Sequence, residues 1–76
     1  MNYKFKRHQK VVLLRVPNPE YIEYENEDSK VKIESGMKGE INIILPNGQY
    51  HVRIFDSKGN VIAYAPFNEE DLESAE

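Results

Sequence analysis

Two histidines, five tyrosines, a few serines and thirteen carboxylates are the side chains in this chain able to do chemistry, and there is no cysteine. Thiol catalysis and thiolate metal sites are therefore excluded by composition. His8 and His51 stand too far apart for a metal-ligand spacing, and no serine shares a recognisable elbow or triad order with either of them. The run Glu25-Asn26-Glu27-Asp28 lacks the alternating oxygen ligands and mid-loop glycine of a calcium loop. It reads as a solvated turn. Gly36-Met37-Lys38-Gly39 has the spacing of a nucleic-acid clamp or phosphate cradle, but both need a helix straight after the glycines, and the residues that follow alternate like a strand. No catalytic, cofactor-binding or metal-binding residue is expected, and the chain is read as a non-enzyme.

Binding chemistry is better represented, because a net charge of −3 conceals a segregated sequence. Lys4, Lys6, Arg7, Lys10 and Arg15 come first, then Glu20, Glu23, Glu25, Glu27 and Asp28 with no basic residue between them, and the tail after Asn68 is wholly acidic. Solvated faces commonly produce such patterns, yet charge asymmetry also steers partners. Tyr21 lies among the carboxylates, and an exposed tyrosine in acidic surroundings makes a hot spot for a basic protein surface. The candidate partner-binding set is thus Glu20, Tyr21, Glu23, Glu25, Glu27 and Asp28. A rival set, Tyr3, Lys4, Lys6, Arg7 and Lys10, would contact nucleic acid by phosphate attraction and stacking, against the acidic total charge. Tyr24, Tyr50, Phe55, Tyr64 and Phe67 are expected to be needed mainly in the core. With no tryptophan, a proline-peptide groove of the usual kind is disfavoured.

Seventy-six residues provide one domain with one small core, since a chain of this size buries only about 60% of its unfolded surface. Tyrosine, valine and isoleucine favour strands over helices. The apolar run 11–14 is too short for a signal-peptide core and is followed by Arg15, so a cytoplasmic protein without a membrane partner is expected.

The framework is the stretch 36–60. Gly36 and Gly39 bracket a turn, residues 40–45 form a strand, Asn47-Gly48 closes a type I′ hairpin, residues 50–55 return, and Gly59 takes the left-handed position of a second, bulged turn. Tyr50, Val52 and Ile54 make one face of the returning strand, His51, Arg53 and Phe55 the other. Before it, residues 10–16 form a strand apolar on both faces, stopped by Pro17-Asn18-Pro19. Residues 21–25 and 31–33 read as the legs of a protruding hairpin turned at 26–29, with Tyr21 on the same strand face as Glu23 and Glu25. Residues 1–9 form a basic arm, loosely held or starting an edge strand near Tyr3. After 36–60 comes a strand at 61–65 stopped by Pro66, then a short acidic helical tail over 68–76, capped by Asn68 with Phe67 stapled to Leu72.

Val11-Val12-Leu13-Leu14, Gly36-Met37-Lys38-Gly39, Gly48-Gln49-Tyr50-His51-Val52, Asp56-Ser57-Lys58-Gly59 and Asp71-Leu72 occur in that order. Together they resemble the pattern of small bacterial SH3-like barrel proteins in a domain-of-unknown-function family. The resemblance covers residues 10–73 and departs from the pattern in the longer segment 18–35. It implies an all-β, SH3-like barrel of five to seven strands with the protruding hairpin and a short C-terminal helical turn. Since the family has no assigned chemistry, it adds only a binding role. The expected function is an adaptor or inhibitor module that engages a basic protein through the acidic hairpin, with a nucleic-acid or ribosome-associated barrel as the alternative. Exposed edge strands would offer a route to a homodimer.

Overall fold

A computed structural model describes residues 3–76; Met1 and Asn2, where the expected arm begins, lie outside the described residues. Six antiparallel strands form one sheet: β1 (Lys10–Leu13), β2 (Glu23–Tyr24), β3 (Lys38–Ile44), β4 (Tyr50–Phe55), β5 (Val61–Phe67) and β6 (Leu72–Ser74). Their spatial order is β2-β5-β4-β3-β1-β6. Two 3-10 turns, Pro19–Tyr21 and Glu69–Asp71, are the only helical pieces among the described residues. β3, β4 and β5 make a meander, and β1 pairs with β3 on one side and with β6 on the other. The outermost strands β2 and β6 do not pair with each other, so hydrogen bonding does not close the sheet into a barrel.

Alternation builds the core. Tyr50, Val52 and Ile54 of β4 point inward, as do Ala63, Ala65 and Phe67 of β5, Val11 and Leu13 of β1, Ile41 of β3 and Leu72 of β6. Two core residues come from outside the strands, Phe5 and Ile33. Burying the bulky members of such a cluster is what holds a small sheet together, at roughly 1.5–3 kcal/mol for each large side chain.

Both hairpins of the meander turn through three residues. In the first, the Gly48 N–H donates to Leu45 O (3.0 Å) and the Leu45 N–H to Gln49 O (2.8 Å), while only Gly48 has a positive φ, +87°. The expected two-residue type I′ turn is thereby corrected. Pro46, with its φ fixed negative, takes the first central position, and Asn47 Oδ1 accepts the Gln49 N–H at 3.0 Å. The second hairpin repeats this geometry around Asp56 and Gly59, φ +85°, which is the bulged loop the sequence predicted.

Several other expectations change. β1 ends at Leu13 rather than at residue 16, because its ladder with β3 ends at Val12 and that with β6 at Leu13; Leu14 and Val16 are left exposed. The protruding hairpin is absent. Glu23 and Tyr24 pair instead with Tyr64 and Ala63, since the free edge of β5 offers a ladder, and residues 31–33 form no strand. Ile33 is spent on the core. The turn at 26–29 is formed as expected, with the Ser29 N–H donating to Asn26 O.

Pro66 does not stop its strand; it sits inside β5 opposite His51, beyond the stretch paired with β2. A proline is tolerated there because that side of β5 is an open edge. At the C-terminus, one 3-10 turn replaces a helical tail and leads into β6. Asn68 occupies the cap position but gives its side-chain oxygen to Gln49 Nε2 (3.1 Å) instead of capping. Within the expected arm, residues 3–9 form no strand and are tied to the core. Phe5 is 2% exposed and packs edge-on to Tyr50, whose hydroxyl accepts the Phe5 N–H at 3.3 Å. Further along, the His8 N–H donates to Ile41 O at 2.7 Å.

Candidate functional site

The acidic excursion is displayed by a local device. Asn18 Oδ1 accepts the Glu20 N–H at 3.0 Å, Pro19 starts the 3-10 turn with its φ already set, and the turn carries Tyr21 outward. Tyr21 is 59% exposed, the most exposed large hydrophobic side chain among the described residues. It borders a groove of about 530 Å³ whose apolar lining includes Val16, Pro17, Pro66 and Phe67. Arg15 and Asp71 line the same groove, with Arg15 Nε 3.3 Å from Asp71 Oδ1 as an ion pair.

Glu20, Glu23, Glu25, Glu27 and Asp28 are all exposed. Glu27 pairs with Lys30 at 3.3 Å and Glu23 approaches His51 Nε2 at 3.8 Å, whereas Glu20, Glu25 and Asp28 have no ion-pair partner among the described residues. Tyr21 does not share a strand face with Glu23 and Glu25 as expected, because it belongs to the 3-10 turn and Glu23 to β2. The acidic cluster therefore wraps from the groove onto the sheet edge. Tyr24 is half-buried, with the Lys30 ammonium 5.7 Å from its ring centre.

Most charges of the rival basic set are already engaged. Arg7 Nε donates to Asn42 O at 3.1 Å, Lys10 Nζ binds Glu40 Oε2 at 2.9 Å, and Lys4 Nζ lies 5.3 Å from the Phe5 ring centre. All five residues of the set are nonetheless exposed. Tyr3 is the one aromatic side chain of the arm left open, since Phe5 is buried.

A third constellation escaped sequence reasoning. The ladders align Lys10, Glu40, Arg53, Tyr64 and Glu23 in one row across five strands, on the face opposite the core. Glu40 is bridged from both sides, by Lys10 at 2.9 Å and Arg53 at 3.2 Å. The hydrogen bond from Lys10, reinforced by Arg53, holds the Glu40 carboxyl below its ordinary value against the opposing effect of burial. Beside this row His51 stacks on Tyr64, centroids 5.7 Å apart, and its Nδ1 lies 3.0 Å from Asn42 Nδ2. With Asn42 donating there, the neutral ring carries its proton on Nε2, towards Glu23. Asn42 is the extra residue of a bulge, so that Asn42 and Ile43 together stand against His51. The alternation His51-Arg53-Phe55 signalled this face; its partners on β2 and β5 could not be read without the register.

His51, Glu23 and Tyr64 have the side chains of an acid-base site, but Glu23 is 77% exposed and neither groove includes any of the three. A charge pair open to water is a weak device for proton transfer. Among the described residues no three His, Cys, Asp or Glu side chains cluster as a metal site, and no helix is long and apolar enough to cross a membrane. No protein family, characterised protein or solved structure matches the chain.

Proposed function

We propose that this chain is a non-enzymatic protein-binding module, an adaptor or inhibitor, whose residues 20–28 engage a basic partner surface. The observation that carries this reading is Tyr21: a large amphipathic side chain held out by a capped turn, at the rim of a partly apolar groove, with the carboxylates of Glu20, Glu25 and Asp28 unpaired among the described residues. An aromatic anchor beside a partly apolar recess, with acidic residues on the adjoining chain, is the composition of a hot spot with electrostatic steering. The engagement of Arg7 and Lys10 within the fold weakens the rival use of the arm on nucleic acid.

We further propose that the fold is an SH3-like barrel left open between β2 and β6. Its support is the connectivity: a first strand, a long excursion, a three-strand meander, a 3-10 turn and a last strand returning beside the first. The glycine-marked turns fall at the motif positions quoted above.

The test is affinity capture from an extract of the native host, followed by measured binding of the captured partner. Tyr21→Ala combined with Glu23→Lys is expected to weaken that binding by about 30-fold or more, the loss of about 2 kcal/mol typical of a hot spot. A partner held equally well by the double variant would refute the surface.

A further inference from the structure

At the opposite end of the strands from Tyr21, the turn at 34–37 and the β4–β5 turn border a second groove, of about 860 Å³. Its volume falls within the roughly 300–1,000 Å³ of small-molecule sites. The charge of its lining runs against that of the whole chain. Lys10, Lys38 and Lys58 line it with Asp56 as the one carboxylate, in a protein whose net charge is −3. Asp56 offsets them only in part, through its attraction to Lys58. Its carboxylate accepts the N–H groups of Lys58 and Asn60, each at 2.9 Å, and so is turned into the loop that it braces. Lys10 is matched by Glu40, but Lys38 and Lys58 form no ion pair among the described residues. Three ammonium groups against one carboxylate leave this concave surface with a positive potential that favours an anion.

Much of the remaining lining is apolar, including Met37 and the half-buried Phe55 ring, over which Lys10 Nζ stands at 5.8 Å. Ser57 adds a hydroxyl on the same side. Ammonium groups beside an aromatic face fit a ligand that is anionic at one end and flat at the other. We propose that this groove binds a nucleotide, its phosphate between Lys38 and Lys58 with Ser57 donating, and its base against Phe55 and Met37. The same chemistry is offered by a free nucleotide and by a single nucleic-acid strand. The site is separate from the acidic excursion and does not rest on the protein-binding reading.

The experiment follows backbone amide signals of the full chain during titration with AMP, with an eight-residue adenylate RNA, and with inorganic phosphate. Saturable shifts at Met37, Lys38 and Phe55 to Gly59 are expected. Saturation by AMP identifies a free nucleotide as the ligand, and at least tenfold preference for the RNA identifies a strand. Lys38→Ala with Lys58→Ala should weaken binding at least tenfold, and Phe55→Leu at least threefold. Lys38 and Lys58 are exposed and unpaired, so the lysine variant should melt at the wild-type temperature, which keeps the comparison free of folding effects. Tyr21→Ala with Glu23→Lys should leave this affinity unchanged, separating the two surfaces. The proposal is overturned if neither AMP nor RNA moves the groove amides, if shifts are confined to Lys4, Lys6 and Arg7, if inorganic phosphate binds as tightly as AMP, or if the double lysine variant binds like the wild type.

Discussion

Gly39 shows how a single position can look like one thing in the sequence and be another in the fold. The spacing Gly36-x-x-Gly39 suggests a turn bracketed by two equivalent glycines, and Gly36 does fill that role with φ +94°. Gly39 lies inside β3 instead, where a Cβ would come within 2.7 Å of both Arg53 O and Val52 Cγ1. The backbone of β4 cannot retreat without breaking the ladder, so Gly39→Ala should destabilise the fold by about 2 kcal/mol, as overpacking does. Gly36→Ala has open space around the new methyl and should cost about 1 kcal/mol, from the left-handed backbone alone. Denaturant midpoints of the two variants check the order. Equal midpoints would show that β3 and β4 shift to make room.

Among the elements, the N-terminal arm departs most from its appearance. A stretch of alternating lysine, arginine and aromatic residues looks solvated, yet Phe5 seals the core against Tyr50 and the arm then bonds to β3 through His8. Phe5→Ala should therefore cost about 3–5 kcal/mol, the loss expected for an aromatic side chain removed from a core. A fall of that size in the unfolding free energy is the expected measurement; a loss below about 1 kcal/mol would mean the arm is not part of the folded unit. The excursion shows the reverse case. Its charges and Tyr21 are exposed as read from the sequence, but its route is set by β5, which takes Glu23 and Tyr24 as an edge strand.

For the whole molecule, the ion network over the outer face links stability to acidity. Glu40 titrates below its ordinary value of 4.5 because of Lys10 and Arg53, and Asp56 below 3.8 because of the Asn60 and Lys58 amides. A carboxylate whose folded pKa is depressed contributes stability in full above its unfolded pKa and loses it as pH falls through the folded one. Glu40→Gln should then be less stable than wild type at neutral pH, with the gap closing below about pH 4.5. Parallel unfolding curves for the two proteins from neutral to pH 3 would show that Glu40 gains nothing from its neighbours.

The local framework is legible in the residues alone: the meander, the left-handed glycines at 48 and 59, the inward face Tyr50-Val52-Ile54, and the exposed acidic run with Tyr21. Those features depend on residues a few positions apart, where turn chemistry and two-residue periodicity act directly. Tertiary structure alone decided that β2 joins β5, that β6 pairs with β1, that Phe5 and Ile33 belong to the core, and that three lysines from β1, β3 and the β4–β5 turn line one groove. Each of these is a pairing across long stretches of chain, chosen by which edge or cavity stands open once the rest has folded. Neighbouring residues carry no record of that choice.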